Sequence, residues 1–445
     1  MEEVTATAAQ EGLGALAVEQ LQRLIRVDTV NPPGDERAVQ EENAGLLREA
    51  GFEVDLLAAE PERTNLIAKL RGSDDGPALT LLSHVDTVKA DREDWTRDPW
   101  GGELVDGWVW GRGALDMKGQ VAAELAACLD LGRSGWRPPR GTLQLVITAD
   151  EETGGELGAR WLCEEHPDEV RSDYVLNEGG GYSFEFGGRR IYTLAVGEKG
   201  ISRMRLSATG RAGHASLPKI GENALLKLAP FVAKLAEQPA PEPTPEGMGF
   251  LSALYGEELE GEQGMERGLE RLRSDSPLLA DFIAEPNLGA TLTPTRASAS
   301  EKANVIPASA EVLVDCRIPP GRDSDYARAK IEEVLGPGDY EIEFTEVVVG
   351  NRSPLESGLA DAIRGWVAEV DPGAEVAPMA MPGFSDCRWF REAFPEATVY
   401  GFNPHREISL LEAAPLIHGA DERVPASDVG LAASFFSEMA RRLLA

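Results

Sequence analysis

The chain predicts an α/β protein with a small α+β domain inserted into it. Three observations carry this reading. Short apolar runs alternate with helical patterns up to about residue 197, the texture changes over 198–349, and the first texture returns from 350. At 445 residues the chain exceeds the size at which one core usually stops growing, so more than one domain is expected. We read 1–197 and 350–445 as two parts of one domain and 198–349 as the insertion.

The elements follow in order. Residues 15–28 set Leu16, Val18, Leu21, Leu24 and Ile25 at helical spacing, and "NPPGDE" ends that helix. "NLIAKL" and "ALTLLSHVD" predict short strands, "GQVAAELAACLDLG" an Ala-rich helix, and "GTLQLVITAD" a further strand. "GARWLCEE" is helical and "YVLNEGGG" ends a strand in glycines, the rhythm of a sheet with helices on its faces. From residue 198, "GISRMRLSATGRAGHAS" alternates as a strand with one solvated face does. A helix is expected over 222–236, then the Pro-rich "EQPAPEPTPEG" and a polar helical segment near 250–285. The strand "SAEVLVDCRI", the helix "DYARAKIEEVL" and the strand "YEIEFTEVV" close the insertion. The tail contributes "EATVYGF" and a last helix, "ASDVGLAASFFSEMARRLL".

Charge narrows the partners. With 43 Lys and Arg against 76 Asp and Glu, the formal net charge is −33, a field that disfavours nucleic acid and anionic membrane surfaces. The acidic residues are spread along the chain, as on a solvated surface. No run approaches the ~18 apolar residues of a membrane helix. The N-terminal "MEEVTATAAQEGLGALAVEQ" has no basic segment followed by an apolar one, so no secretory leader and a cytoplasmic location are expected. Cys128, Cys163, Cys316 and Cys387 form no CxxC pair, and reduced, buried thiols are expected.

The chemistry begins at "LQLVITADEETGG", where an apolar strand ends in Asp150, Glu151 and Glu152. Two like charges ~4 Å apart repel by roughly 4 kcal/mol at an effective dielectric near 20, so such a cluster needs compensation. "LLSHVDTV" puts His84 and Asp86 two apart at another strand end, where i and i+2 share a face. Asp86 can then bind one imidazole nitrogen and leave the other free as a ligand; a strand-end His satisfied by a neighbouring Asp is the plainer alternative. "WGRGALDMKGQ" begins like a dinucleotide fingerprint, but Asp116 stands where the third glycine belongs, which excludes a pyrophosphate. Asp116 can also cap the helix that follows. "LNEGGG" places Glu178 at a third strand end, beside glycines that permit close backbone approach. "IHGADE" places His418 beyond the insertion. His84, Asp116, Glu152, Glu178 and His418 make a nitrogen and oxygen set suited to zinc, manganese or cobalt, enough for two ions if one carboxylate bridges. One carboxylate is left for proton chemistry.

The ordered set "SHVDTV", "GRGALDMKG", "ADEETGG", "LNEGGG", "GRAGHAS", "ANVIP" and "IHGADE" resembles metallopeptidase family M20, from "LIRVDTVNPPG" to "HGADERV". That family includes carboxypeptidase G, aminoacylase, acetylornithine deacetylase and succinyl-diaminopimelate desuccinylase. The resemblance implies a zinc-peptidase-like catalytic domain with a mixed central sheet, and makes the insertion a lid that also carries a homodimer contact. It implies two divalent ions, zinc foremost with cobalt or manganese as alternatives, bridged by Asp116. His84 and Glu178 would hold one, Glu152 and His418 the other. Glu151 would be the general base and acid, Asp86 the partner that orients His84, and Asp116–Met117 a cis peptide. His214 would reach a substrate carbonyl oxygen, often from the partner subunit, and Asn304 and Arg317 would hold the substrate's carboxylate and backbone.

Two departures stand out. The insertion has an extra segment at about 237–290, and "TPTRASASEKANVIP" lacks a Gly-Gly, which looks nearer to carboxypeptidase S and larger N-acyl amino acid hydrolases. "MPGFSDCRWF" carries Phe384 and Cys387 where smaller residues are common, and His405 is either a pocket residue or an ordinary loop histidine. The expected activity is hydrolysis of a peptide or N-acyl amide bond beside a free carboxylate, on a dipeptide-like or N-acyl amino acid substrate. An N-acyl amino acid deacylase is the alternative within the class. A catalytically silent binding protein is the alternative outside it, and the intact set of ligands with Glu151 and His214 argues against that. A serine hydrolase is disfavoured, since no G-x-S-x-G occurs.

Overall fold

The computed structural model describes residues 2–445, with side chains described from residue 11 onwards. The start of the stretch read above for a leader lies outside the described residues. The chain divides into two units, one of residues up to Val196 with Ser353–Ala377 and Ser385–Ala445, the other of Gly197–Arg352 and Pro378–Phe384. The short return to the second unit has a local cause. Met381 O accepts from Lys199 N at 2.9 Å, and Ala380 N donates to Asn287 Oδ1 at 2.6 Å.

In the first unit a mixed sheet runs in the order Glu53–Ala58, Thr64–Arg71, Arg140–Thr148, Asp74–His84, Tyr174–Asn177, Thr398–Gly401, Arg189–Glu198, Tyr182–Phe186, His405–Ser409. Its middle is parallel, from Arg140–Thr148 through Asp74–His84 and Tyr174–Asn177 to Thr398–Gly401. Parallel strands are covered on both faces, which is why "LQLVITA" is buried almost throughout instead of alternating. One face packs under Lys118–Arg133, with Glu2–Ile25 and Ala426–Leu443 against that helix. Lys118–Arg133 is buried nearly all round, and Ala122, Ala123, Ala126 and Ala127 let three layers approach closely. Ala159–Glu165 and Cys387–Ala393 cover the other face. All four cysteines are buried. A small antiparallel sheet of Glu103–Val105, Trp108–Trp110 and Arg423–Pro425 sets residues 111–116 beside 418–422.

The second unit has its own core. Four antiparallel strands run in the order Thr291–Ser298, Ser309–Ile318, Gly200–Thr209, Glu341–Val348. Burial alternates along Ser309–Ile318, as one covered face requires. Ala224–Lys234 with the turn Leu235–Glu237, and Ser324–Leu335, cover it, burying Leu228, Leu235, Ile331 and Leu335 in one core with Val312 and Val314. Asn223 caps the first of these helices through Leu225 N and Leu226 N, and Asp323 caps the second. The extra segment folds as Pro245–Tyr255 and Gly261–Asp275, followed by short turns to Asn287. Among the described residues no helix is long and apolar enough to cross a membrane.

Candidate metal centre

Three neighbouring parallel strands deliver the cluster. Asp74–His84 ends in His84, Arg140–Thr148 runs into the turn carrying Glu151 and Glu152, and Tyr174–Asn177 is followed by Glu178. Their carboxyl ends lie at the edge where open α/β sheets bind ligands. The turn depends on Asp150, whose backbone is left-handed at φ 72°. That region costs a non-glycine residue roughly 1–2 kcal/mol. Asp150 holds it by accepting from Thr153 Oγ1 at 2.5 Å, Leu157 N at 2.9 Å and Asn31 Nδ2 at 3.2 Å, with Arg63 Nη2 also 3.2 Å away. Beside Glu178, an added Cβ at Gly180 would lie 2.3 Å from Gly401 O, and one at Gly181 2.1 Å from Asn403 O. Only glycine lets these backbones meet.

His84 and Asp86 share a face, as their spacing requires. Nδ1 lies 3.4 Å from Asp86 Oδ1 and 3.1 Å from the Asp86 carbonyl oxygen. Asp86 also accepts from Glu151 N at 3.3 Å, Glu152 N at 3.2 Å and Asn31 Nδ2 at 2.8 Å, tying the histidine to the acidic turn. His84 Nε2 is buried without a hydrogen-bond partner. Around it stand Asp116 Oδ1 at 3.3 Å, Glu151 Oε2 at 3.7 Å and Glu178 Oε1 at 3.7 Å. On the other side, His418 Nε2 lies 3.0 Å from Asp116 Oδ2 and 3.2 Å from Glu152 Oε2. Asp116 does not cap the next helix, whose N-cap is Met117 without a side-chain bond, and the Asp116–Met117 peptide is cis.

Two groups therefore gather their donor atoms within 4.8 Å, His84 with Glu151 and Glu178, and Asp116 with Glu152 and His418. Ligand atoms ~2.0–2.1 Å from a tetrahedral zinc stand about 3.3 Å apart, close to the spacings here. The electrostatics agree. Burial pushes the Glu151 and Glu178 carboxyls well above the usual range; repulsion among the acids adds to this, and His84 opposes it. Burial likewise raises Glu152, against its bond with His418. Burial also works against Asp116, yet the facing His418 and His84 imidazoles outweigh it and hold that carboxyl low. Asp116 and Glu152 push the His418 imidazole up to about 10. A cluster so short of cations, with a bare imidazole nitrogen in it, fits divalent metal.

His214, Asn304 and Arg317 belong to the second unit. His214 is exposed on the two-residue strand Gly213–His214, and its Nδ1 accepts from Ser216 N at 3.3 Å. The proton of its neutral form then sits on Nε2. Asn304 is exposed, and its carbonyl accepts from Ala215 N at 3.0 Å. Arg317 turns its fork to Asp315, at 2.7 Å from Nε and 3.4 Å from Nη2, and donates from Nη1 to Pro382 O at 3.1 Å. His405 is buried and stacked on Tyr182 with ring centroids 4.4 Å apart. Sequence reading passed over Asn31, Arg63, Arg112 and Glu422, which bond to the loops of the cluster. Arg112 and Glu422 lie inside motifs quoted above, so their places were visible although their bonds were not.

Residues 80–442 match the model of peptidase family M20/M25/M40. The chain belongs to peptidase family M20. This M20 chain is 26% identical over 460 residues to an N-fatty-acyl-amino acid synthase/hydrolase of Xenopus tropicalis, covering 95% of the chain and 85% of that protein. It is 28% identical over 378 residues to a probable carboxypeptidase S-like protein of Dictyostelium discoideum, covering 81% and 70%. In fold it matches an M20 family metallo-carboxypeptidase of Sulfolobus solfataricus, with a TM-score of 0.67 at 17% identity over 96% and 99% of the two chains. It also matches a dinuclear metal-binding M20 peptidase of Bacillus subtilis, with a TM-score of 0.59 at 15% identity over 97% and 98%. The M20 chain is a hydrolase with the mixed α/β fold of its family.

Proposed function

We propose that this M20 hydrolase uses two divalent metal ions to cleave a peptide or N-acyl amide bond beside a free carboxylate, in the manner of a carboxypeptidase or dipeptidase. One observation carries the reading: Asp116 turns one oxygen to His84 and the other to His418, at 3.3 and 3.0 Å. His84 and Glu178 would hold one ion and Glu152 and His418 the other, with Asp116 between. When bound, such ions supply Lewis acidity towards the scissile carbonyl and make a water acidic near neutral pH. Glu151, the acid left over, takes the proton of the attacking water and passes it to the leaving amine. Asp86 keeps His84 oriented through Nδ1. We propose His214 Nε2 as donor to the oxyanion, with Asn304 and the remaining N–H groups of Arg317 for the substrate carboxylate.

A second reading has support of its own. The relative spanning 95% of the chain carries the name of an N-fatty-acyl-amino acid hydrolase, which favours an N-acyl amino acid substrate over a dipeptide. Both substrates keep the free carboxylate. The test is a screen of the zinc- or cobalt-loaded protein against dipeptides, N-acyl amino acids of graded chain length and their C-terminal amides. Hydrolysis of the acids with little of the amides supports the proposal; equal hydrolysis of both contradicts it. The acyl-length profile separates the two readings.

A further inference from the structure

Glu422 closes the motif "IHGADE" and is buried beside Arg112, also buried, from "WGRGALD". All four of its side-chain bonds go to one loop. Oε2 accepts from Arg112 Nη1 at 2.6 Å and Gly113 N at 3.0 Å, and Oε1 accepts from Leu115 N at 2.7 Å and Asp116 N at 3.0 Å. The carboxylate is thus a template for residues 112–116, ending at the amide of Asp116 itself. The Glu422 carbonyl adds a fifth bond, from Gly111 N at 3.0 Å.

Arg112 works in the opposite direction. Its Nη2 donates to Gly419 O at 2.9 Å and His418 O at 3.3 Å, so the guanidinium grips the loop that carries His418. Trp95 lies 5.2 Å beneath the guanidinium and closes it in. His418 needs such a hold, because its backbone is left-handed at φ 59°. One ion pair therefore joins two loops far apart in the chain, each supplying one member of the Asp116–Glu152–His418 group. Charge-assisted bonds to a planar fork are short and directional, which suits them to fixing geometry.

We propose that Glu422 and Arg112 are positioning residues that hold Asp116 and His418 in register, and so set chiefly the affinity of the ion held by Glu152 and His418. The inference rests on the two-ion reading above. Partners that orient metal ligands typically carry ~10–100-fold in metal affinity. Removing either partner should therefore weaken the ion at Glu152 and His418 by that factor and, since Asp116 also serves the ion at His84 and Glu178, weaken that ion to a lesser extent.

The test strips the full-length protein of metal and titrates it with zinc against a chromophoric chelator, then with cobalt followed by visible absorption. Wild type, Glu422→Gln and Arg112→Lys are compared. A wild-type chain that takes up fewer than two ions overturns the two-ion reading itself, and this inference with it. Given two ions, Glu422→Gln should bind the one at Glu152 and His418 ~10–100-fold more weakly and show the larger change in the cobalt bands of that site. Arg112→Lys keeps the charge facing Glu422 but loses the fork, and should show a smaller loss at the same site. It decides the matter if Glu422→Gln fails to fold. Both ions within about threefold of wild type in the folded variants, or a loss at His84 and Glu178 equal to or greater than that at Glu152 and His418, would overturn the inference.

Discussion

His84 and His418 address opposite oxygens of one carboxylate, Nε2 of the first lying 3.3 Å from Asp116 Oδ1 and Nε2 of the second 3.0 Å from Asp116 Oδ2. A carboxylate that serves two imidazoles can bridge two ions. Asp116→Ala should therefore empty both sites, whereas His418→Ala should empty one. Elemental analysis of the purified variants checks this; two ions retained by Asp116→Ala would remove the bridge from the account.

The neighbours Glu151 and Glu152 should behave differently. Glu152 Oε2 faces His418 Nε2 at 3.2 Å and its Oε1 accepts from Val88 N at 3.1 Å, a side chain fixed at both oxygens. Glu152→Gln should lose metal. Glu151→Gln should keep both ions and bind substrate, but lose several orders of magnitude in turnover, because proton transfer alone is removed. Since Glu151 also stands 3.7 Å from His84 Nε2, metal content is the deciding readout. An empty site in Glu151→Gln beside a full one in Glu152→Gln would reverse the two roles.

Much of this centre was legible because its parts are local. His84 with Asp86, the acid run at 150–152 and Glu178 before its glycines each sit at the end of a short apolar strand. The strand order then brings those ends together. The hairpin of Tyr182–Phe186 and Arg189–Glu198 was passed over, although Gly187 and Gly188 both take positive φ and Gly-Gly is a strong hairpin signal. The Glu422–Arg112 pair was beyond reach for another reason. It depends on pairing Arg423–Pro425 with Trp108–Trp110, a contact between segments with no shared local pattern.

Glu124 gives a pH test away from the cluster. It is buried, with Oε2 accepting from Ser83 Oγ at 2.7 Å and Oε1 from Gln120 Nε2 at 2.8 Å. Burial pushes its carboxyl up to about 8 from an ordinary 4.5. Between those values the folded chain holds a proton that the unfolded chain has lost. This contribution is full below the unfolded value and declines as pH rises to the folded one. Glu124→Gln keeps both polar contacts without the charge, so its stability should vary less with pH over that range and exceed wild type at about pH 9. Urea unfolding of both proteins at about pH 6 and about pH 9 measures this. The same pH dependence in both would show that Glu124 does not carry the proton.

His214 tests the role proposed for the second unit. His214→Ala should leave folding and metal content intact and lower turnover by about 100-fold or more, the range of a lost oxyanion donor. If the donor acts across a homodimer, mixing His214→Ala chains with Glu151→Gln chains should restore activity through mixed dimers with one working site. Mixed dimers that form without recovered activity would confine His214 to its own chain.

The most direct measurement is metal content and amide hydrolysis on the same purified sample, before and after chelation. The account predicts close to two divalent ions per chain, loss of hydrolysis of an N-acyl amino acid or dipeptide when they are removed, and recovery with zinc, cobalt or manganese. Full hydrolysis by a chain in which elemental analysis finds no metal would contradict it.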